Sequence, residues 1–409
     1  MLLPPPGNAR ILTATTLVNT FGNGAYLSVS VLFLTRSVGL TPGEVALGLA
    51  VAAGAAMLLS TPMGLLADRL GPREVQRGAL LVLAACYCLL ATVGGVWTFT
   101  ALACVIAAGE AAVKSAAGAM VARSVPPEQR LRARAYLRSA NNAGIALGAA
   151  FGGLPLLLDS RAGYLAVLFV DAATCAAAAL VLSRATRVPP LPTPAAQPRL
   201  VALRDRPFVA FALVDGLMQA LYNAMVGLAL PLWLATRGGA PLWLVSAALL
   251  VNTIGCVTLQ VWAAGGVDGL AYAARIGRRG AWTVAASCLL FGVPGRLPTA
   301  VVTGLVLAAA VVHVLGELWL STATWAVVYG LAPEWAQGQY QGAYQTGRQI
   351  GNMVSPPLLT ALVVGAGAAG WAGVGAIFVV GGLAYPALVG WGLRTRSDQD
   401  TAVSLVPAR

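Results

Sequence analysis

Runs of about twenty apolar residues recur along the whole chain, separated by short stretches that carry most of its charge. Each run is long enough to cross the roughly 30 Å hydrocarbon core of a bilayer as a helix. Hydrophobic residues make up 58% of the 409 residues and charged residues only 10%, against about 25% in a soluble domain. So little charge cannot cover a water-exposed surface. The pattern therefore predicts an all-α integral membrane protein.

The apolar runs and the turn signals between them predict twelve spans. Their predicted bounds are 11–35, 43–67, 75–95, 98–122, 136–158, 163–183, 208–235, 242–263, 281–294, 299–328, 340–364 and 371–393. The prolines between spans six and seven predict a stiff, extended linker. The predicted organisation is a six-helix half over 1–183, the linker over 184–207, a second six-helix half over 208–393 and a tail over 394–409.

The distribution of arginine predicts the orientation of these spans. With the N-terminus inside, the outer loops hold only Arg36, Arg161, Arg237 and Arg296. The inner loops hold Arg69, Arg73, Arg77, Arg123, Arg130, Arg132, Arg134, Arg138, Arg184, Arg187, Arg199, Arg204, Arg206, Arg275, Arg278 and Arg279. Basic residues accumulate in cytoplasmic loops, so both termini are predicted in the cytoplasm, with the chain in the cell (inner or plasma) membrane. The net charge of +12 then reflects topology and not a nucleic-acid partner.

The sequence does not have the residue patterns of an enzyme. The six cysteines lie in apolar runs without metal-ligand spacing, and the chain has one histidine. It carries no G-x-S-x-G, H-E-x-x-H or P-loop signature. We therefore expect neither catalysis nor a cofactor nor a metal. The expected partners are a small-molecule substrate, protons and the lipid bilayer, and a monomer is expected.

Short segments recur in one order in both halves. The loop RLGPR (69–73) matches RIGRR (275–279), Gly109-Glu110 matches Gly316-Glu317, and Pro127-Glu128 matches Pro333-Glu334. Because six spans are an even number, both halves would enter the membrane in the same sense. The matches predict a parallel pseudo-repeat, an arrangement known among transporters.

The loop GLLADRLGPRE (64–74) resembles the signature loop between helices two and three of the major facilitator superfamily, G-x-L-a-D-R-x-G-r-k. Gly64, Leu66, Asp68, Arg69, Gly71 and Arg73 stand at its positions. With the twelve spans and the repeat, the resemblance covers the whole chain and implies a transporter. Asp68 can accept hydrogen bonds from a neighbouring helix N-terminus or pair with an arginine. We predict a conformational latch formed by Gly64, Asp68, Arg69, Gly71 and Arg73.

Polar residues inside the predicted spans form stripes at helical spacing, which in lipid must face protein or a water-filled cavity. The resemblance implies that helices one, four, seven and ten line a central cavity, while helices three, six, nine and twelve form an outer scaffold. The predicted proton-coupling residues are Glu317, His313, Glu110, Asp171 and Asp215. The predicted substrate-binding residues are Asn19, Asn23, Tyr26, Lys114, Asn142, Gln219, Tyr222, Asn223, Trp319, Tyr344, Gln345 and Arg348.

Three of these predictions have structural alternatives. Glu317, with His313 and Arg348 as its expected cations, either couples protons or binds a cation, or it forms a static ion pair. Glu110 and Lys114, four residues apart, can satisfy each other on one helix. Asp171 either reaches a neighbouring helix or marks a second protonation site.

The first predicted function is proton-coupled efflux of small amphipathic or cationic compounds, because the chain resembles the twelve-helix drug–proton antiporters. Four acids against two permanently charged bases would leave the cavity acidic, and aromatic surface suits hydrophobic cations. The glycines Gly144, Gly148, Gly152 and Gly153 loosely resemble the antiporter signature, although Pro155 is displaced and Val105 stands near the usual fourth-helix arginine. The alternative is an uptake symporter for a sugar, amino acid or organic anion, with Arg348 and Lys114 clamping a carboxylate.

Overall fold

The computed structural model describes residues 4–156, 160–192, 198–238, 241–265, 269–293 and 297–404, and no β-strand occurs among them. The predicted all-α class is confirmed. The long helices of these ranges are α1 (Asn8–Leu32), α2 (Pro42–Leu70), α3 (Pro72–Leu90), α4 (Val96–Ser124), α5 (Pro127–Leu156), α6 (Arg161–Leu182), α7 (Arg206–Ala224), α8 (Trp243–Ala263), α9 (Leu270–Phe291), α10 (Thr299–Leu331), α11 (Gln337–Leu359) and α12 (Ala368–Ser404). The π-helical turns Phe33–Ser37 and Thr360–Gly365 extend α1 and α11, and a π-helical turn at Met225–Ala229 continues α7 into the short helix Leu230–Trp233.

Eight helical segments of the described ranges are long and apolar enough to cross a membrane, which makes the chain a multi-pass membrane protein. They are Asn8–Ser37, Pro42–Leu70, Val96–Ser124, Arg161–Leu182, Arg206–Thr236, Trp243–Ala263, Thr299–Leu331 and Ala368–Arg396. The other four long helices, α3, α5, α9 and α11, carry charged or amide side chains over part of their length. The count of twelve spans and the pseudo-repeat therefore stay predictions.

Two helices begin nine or more residues before the predicted spans. Helix α5 begins at Pro127 and not at 136, and α9 begins at Leu270 and not at 281. The arginines of RLRAR and RIGRR therefore lie on helices, although the charge pattern placed them in loops. In α9 the Arg278 guanidinium lies 5.3 Å from the Trp282 ring centroid, so its apolar stem covers an aromatic surface on the same helix. Charge marks a membrane boundary but does not end a helix.

The predicted linker and tail are partly helical. Residues 201–204 form one helical turn, and Asp205 caps α7 by accepting a 3.1 Å hydrogen bond from the Phe208 amide. Helix α12 continues to Ser404, so the first eleven residues of the predicted tail are helical. Residues 193–197 of the linker, 405–409 of the tail, Arg296, and the predicted span ends at 157–158 and 294 lie outside the described residues.

The chain divides into two compact units. The first unit comprises Met1–Val201 with Glu334–Thr346, and the second comprises Ala202–Pro333 with Gly347–Arg409. In the first unit α1 packs on α5 and α6, α2 packs on α4, and α3 packs on α4 and α6. In the second unit α9 packs on α10 and α12, α8 packs on α10, and α7 packs on α12. The start of α11 belongs to the first unit and the rest of this helix to the second.

Close approach of α1 and α5 depends on glycine. A Cβ atom at Gly148 would lie 1.9 Å from the Phe21 carbonyl oxygen, and one at Gly24 would lie 2.4 Å from the Ile145 carbonyl oxygen. Small residues spaced by four allow helix backbones to approach in this way. The glycine spacing in α5 thus positions α1, which carries several of the predicted substrate residues.

Candidate functional site

Glu317 lies near the middle of α10, and its side chain is buried in the second unit. The Asn252 amide of α8 donates a hydrogen bond of 2.6 Å to Glu317 Oε2. One turn further along α8, the Cys256 sulfur lies 3.7 Å from Oε1. The carboxylate is therefore held against α8 by an amide and a thiol, neither of which is charged.

His313 lies one turn before Glu317, as the i, i+4 spacing predicts. Its Nε2 atom is 3.7 Å from Glu317 Oε2, which is ion-pair range but longer than a hydrogen bond. The imidazole is fully buried, and the rings of Tyr222 and Phe291 lie 6.3 Å away from it on two sides. Neither ring nitrogen has a hydrogen-bond partner among the described residues. The structure thus places two titratable groups together in an aromatic pocket.

Asp215 of α7 forms a second buried polar cluster in the same unit. Its Oδ1 atom accepts hydrogen bonds from the Thr324 hydroxyl at 2.8 Å and from the Tyr385 hydroxyl at 3.1 Å. Its Oδ2 atom accepts a 3.3 Å bond from the Gln219 side chain, which also donates to Thr324 at 3.0 Å. Both carboxylate oxygens have donors, so the charge is well satisfied without water. The cluster connects α7, α10 and α12.

Glu110 and Lys114 form an ion pair on α4 in the first unit, with Lys114 Nζ 3.2 Å from Glu110 Oε2. The Asn23 amide of α1 donates a 3.2 Å hydrogen bond to Glu110 Oε1. The Lys114 side chain is 57% exposed although it lies about one turn from the middle of α4. A lysine at that depth cannot reach the membrane surface with its own length, so this side of α4 must face water or protein.

Asp171 occupies the middle of α6 and is fully buried in the first unit. Thr174 Oγ1 lies 3.5 Å from its Oδ1 atom and Cys175 Sγ lies 4.0 Å from it. The Cys175 thiol also donates to the Asn19 side-chain oxygen of α1 at 3.4 Å. The contact from this part of α6 to α1 is thus made by Cys175, and both predicted alternatives for Asp171 stay predictions.

Asp68, at the end of α2, accepts hydrogen bonds from the backbone amides at the start of α11. The donors are the Gly338 amide at 2.7 Å and the Gln339 amide at 2.9 Å. The first amides of a helix lack intrahelical partners and carry partial positive charge, so a carboxylate is well placed there. A Cβ atom at Gly64 would lie 2.0 Å from the Gly338 carbonyl oxygen. Glycine at positions 64 and 338 thus allows α2 to approach the start of α11.

Side chains of the signature loop and of α4 bind the end of α6 and the start of the linker within the first unit. Gly71 adopts φ 96° between α2 and α3, a left-handed conformation that favours glycine. The Arg73 guanidinium donates a 2.6 Å hydrogen bond to the Ser183 carbonyl, and the Arg123 guanidinium donates to the Pro189 carbonyl. Arg187 pairs with Glu74 at 3.1 Å. Arg69 is exposed.

The sequence over residues 12–356 matches the profile of the Major Facilitator Superfamily. The chain belongs to this superfamily. The resemblance predicted from the signature loop is confirmed, and the chain is a membrane transporter of a family that is not enzymatic. No curated protein matches the sequence.

Solved structures of superfamily transporters share the fold. A bacterial homologue of the iron transporter ferroportin in the outward-facing state has a TM-score of 0.74 at 14% identity, over 94% of this chain and 99% of that chain. The E. coli fucose:proton symporter FucP has a TM-score of 0.68 at 13% identity, over 94% and 98%. The human organic anion transporter MFSD10 (TETRAN) has a TM-score of 0.61 at 16% identity, over 93% and 100%. At these identities the likeness shows the fold alone.

The predicted substrate residues of this superfamily member divide by exposure. The buried ones are Asn19, Gln219, Tyr222, Tyr344 and Gln345, and the partly or fully exposed ones are Asn23, Tyr26, Lys114, Asn142, Asn223, Trp319 and Arg348. Arg348, the expected second cation beside Glu317, forms no hydrogen bond or ion pair with any residue that the structure describes. The expected Glu317–Arg348 pair is therefore wrong, because Asn252 and Cys256 of α8 flank the carboxylate.

Sequence analysis missed Asn252, Tyr385 and Tyr87. The superfamily pattern places helices three and twelve in an outer scaffold, yet Tyr385 of α12 donates to Asp215. Tyr87 of α3 interacts with Asp171. Each of the three is a polar side chain in an apolar stretch of its helix. Such a residue needs a partner inside the membrane, and this requirement was the available signal.

Proposed function

We propose that this superfamily member is a proton-coupled secondary transporter that exports small amphipathic or cationic compounds by alternating access. The observation that supports this most is the environment of Glu317. A carboxylate buried mid-helix is costly in a membrane and is a functional candidate by default. Its described neighbours Asn252, Cys256 and His313 need not carry a charge. These neighbours can stay in contact with the group whether or not it carries a proton.

In the proposed cycle, a proton reaches Glu317 from the outside and weakens its hydrogen bond to Asn252, since neutral carboxyl groups accept weaker bonds than carboxylates. Substrate is displaced outward, and the proton leaves to the cytoplasm after the protein changes conformation. His313 positions Glu317 and can share the proton. Glu110, Asp171 and Asp215 are the other proton-coupling candidates. Trp319 and Asn223, both partly or fully exposed in the second unit, supply aromatic and amide surface for an amphipathic substrate.

The latch role of the signature loop belongs to the same proposal. The Asp68 bonds to Gly338 and Gln339 would form in one state of the cycle and break in another. Because both donors are main-chain amides, the contact depends only on helix position. We further propose twelve spans with both termini in the cytoplasm of the cell membrane, on the strength of the arginine distribution, and a monomeric transporter.

A second candidate function is proton-coupled uptake of a nutrient that carries an anionic group. Lys114, a cation 57% exposed near mid-helix, favours it. The unpaired Arg348 of the described structure has the same charge. The buried acids Asp215 and Glu317, in contrast, already accept hydrogen bonds from protein donors. Symport of an anion with a proton would use the exposed lysine directly.

Transport in proteoliposomes under an imposed pH gradient tests the proposal. Wild type, Glu317→Gln and the exposed-site control Glu128→Gln are compared with a lipophilic cation and, separately, a radiolabelled monocarboxylate. Export predicts that wild type and the control move the cation against proton flow and that Glu317→Gln does not. Cation transport in Glu317→Gln equal to that of wild type would exclude Glu317 as the coupling site. Movement of the carboxylate with the protons would establish uptake instead.

A further inference from the structure

Asp171 is a fully buried carboxyl group at the centre of α6, and α1 closes directly over it. A Cβ atom at Gly22 of α1 would lie 2.3 Å from Asp171 Oδ1 and 2.0 Å from Thr174 Oγ1. The side chain therefore has no room to swing towards α1. Its position is fixed by packing and not by an ion pair.

One oxygen of this carboxyl group lacks a well-placed hydrogen-bond partner. Asp171 Oδ2 is buried and has no hydrogen-bond partner of good geometry among the described residues, and the Tyr87 side chain of α3 is the polar group that interacts with this carboxyl group from another helix. No ion pair to Asp171 is found among the described residues either, and the lysine of α4, Lys114, pairs with Glu110. A buried carboxylate with a bare oxygen is strongly unfavourable in a low-dielectric interior. A positively charged ligand on Oδ2 removes that penalty.

The surrounding atoms favour a proton over a metal ion. Hard cations take about six oxygen ligands, whereas the described neighbours of Asp171 include the Cys175 sulfur at 4.0 Å and two phenol groups. No group of three or more His, Cys, Asp or Glu residues with metal-binding geometry occurs in the described part of the chain. A proton needs only the one free oxygen.

We propose that Asp171 is a second, exchangeable proton-binding site, separate from Glu317, that controls the ion pair of α4. The proposal rests on the proposed proton coupling, which it extends to the first unit. The titratable groups that interact with Asp171 are Tyr26 from α1, Tyr87 from α3, Glu110 from α4 and Cys175 on its own helix. Among these Glu110 is the one acid.

The charge of Asp171 affects Glu110, because the two carboxyl groups interact electrostatically. Two carboxylates in one desolvated region repel each other, so their protonation is coupled. A proton on Asp171 removes that repulsion and stabilises the Glu110–Lys114 pair. Loss of this proton favours a proton on Glu110 instead, and a neutral Glu110 no longer forms an ion pair with Lys114. The pH would thereby control the one exposed cation of α4 at mid-helix.

Infrared difference spectroscopy on the purified full-length protein tests the proposal, since a protonated carboxyl group has a carbonyl-stretch band that a carboxylate lacks. We expect one component of this band in wild type that disappears as pH rises and is absent in Asp171→Asn, while the component of Glu317 remains. The control variant Glu128→Gln should keep this component, because Glu128 is exposed at the start of α5. No titrating component in wild type, or a set of components that is unchanged in Asp171→Asn, would overturn the proposal.

Two further measurements keep the result interpretable. If Asp171→Asn does not fold, Thr174→Val should shift the frequency of the same band, because it removes the hydroxyl beside Oδ1. An unshifted band would assign it to another residue. Glu317→Gln should keep the titrating band while losing coupled transport, so failure of the two proposals is distinguishable. Loss of the band in Glu317→Gln would mean that a separate site does not exist.

Discussion

The Asn252 amide donates a 2.6 Å hydrogen bond to Glu317 Oε2 and so connects α8 to the carboxylate at the middle of α10. The two residues are 65 positions apart in the chain. His313 approaches the same oxygen from one turn away on α10. The amide is the shorter contact and does not depend on protonation. It therefore sets the position of Glu317 in both charge states of the imidazole.

Replacing Asn252 with leucine should impair transport without unfolding the protein. The variant removes the amide donor and leaves a buried carboxylate oxygen without it, and hydrogen bonds to charged groups contribute about 1.5–3 kcal/mol. We expect the rate of proton-driven transport to fall by roughly 10- to 100-fold. Thr258→Val on the same helix is the control, because the Thr258 hydroxyl is exposed and bonds only its own helix backbone. Equal rates in both variants would contradict a positioning role for Asn252.

The Asp68 contact can be measured without any substrate. Asp68→Asn keeps the size of the side chain but replaces one of two acceptor oxygens with an NH2 group, so it cannot accept from both Gly338 and Gln339. Hydrogen exchange at these two amides should become about 10-fold faster or more, since a charge-assisted bond of about 1.5–3 kcal/mol is lost. Peptide-level exchange measured by mass spectrometry checks this, with Glu128→Gln as a control that should leave the α11 amides unchanged. Unchanged exchange in Asp68→Asn would show that the contact does not protect α11.

Removing two donors from Asp215 should destabilise the protein by an amount that differs from the sum of the single effects. Tyr385→Phe and Thr324→Val each remove a donor from a buried carboxylate, and each should lower the free energy of unfolding by about 1–3 kcal/mol. Because both hydroxyls act on Oδ1, the double variant should deviate from additivity by more than about 0.5 kcal/mol. Thermal unfolding in detergent measures this, and Tyr272→Phe, which alters a tyrosine of α9 near the surface, should be neutral. Strictly additive losses would mean that the two donors act independently.

Local spacing predicted contacts within one helix well. The i, i+4 pairs His313–Glu317 and Glu110–Lys114 are both present, because helical geometry alone brings such residues together. The signature loop likewise identified Asp68 and the left-handed Gly71. These features depend on a few neighbouring residues, which a sequence displays directly.

Contacts between helices were much harder to predict. Tyr385 donates to Asp215 across 170 residues, and nothing in either stretch alone specifies the other. The expected Glu317–Arg348 pair failed for the same reason, since facing stripes on two helices do not reveal which helices are neighbours. The charge pattern does not reveal the early start of α9. The arginines of RIGRR indicate a loop by their charge, whereas a long arginine side chain can also lie along a helix.

The α1–α5 contact offers a prediction with an internal control. Gly148 and Gly153 lie on the same helix, but a Cβ atom at Gly148 would lie 1.9 Å from the Phe21 carbonyl, whereas one at Gly153 would meet no atom within 4 Å. Gly148→Ala must push α1 away from α5, and overpacking of this kind costs about 1–3 kcal/mol. Gly153→Ala should be neutral or stabilise the helix by up to about 1 kcal/mol, because alanine has the higher helix propensity. Thermal unfolding of the two variants should therefore shift in opposite directions, or in one of them only. Equal destabilisation would show that both glycines contribute backbone flexibility to α5 and not close packing on α1. An unaffected Gly148→Ala would show that α1 and α5 do not pack this closely.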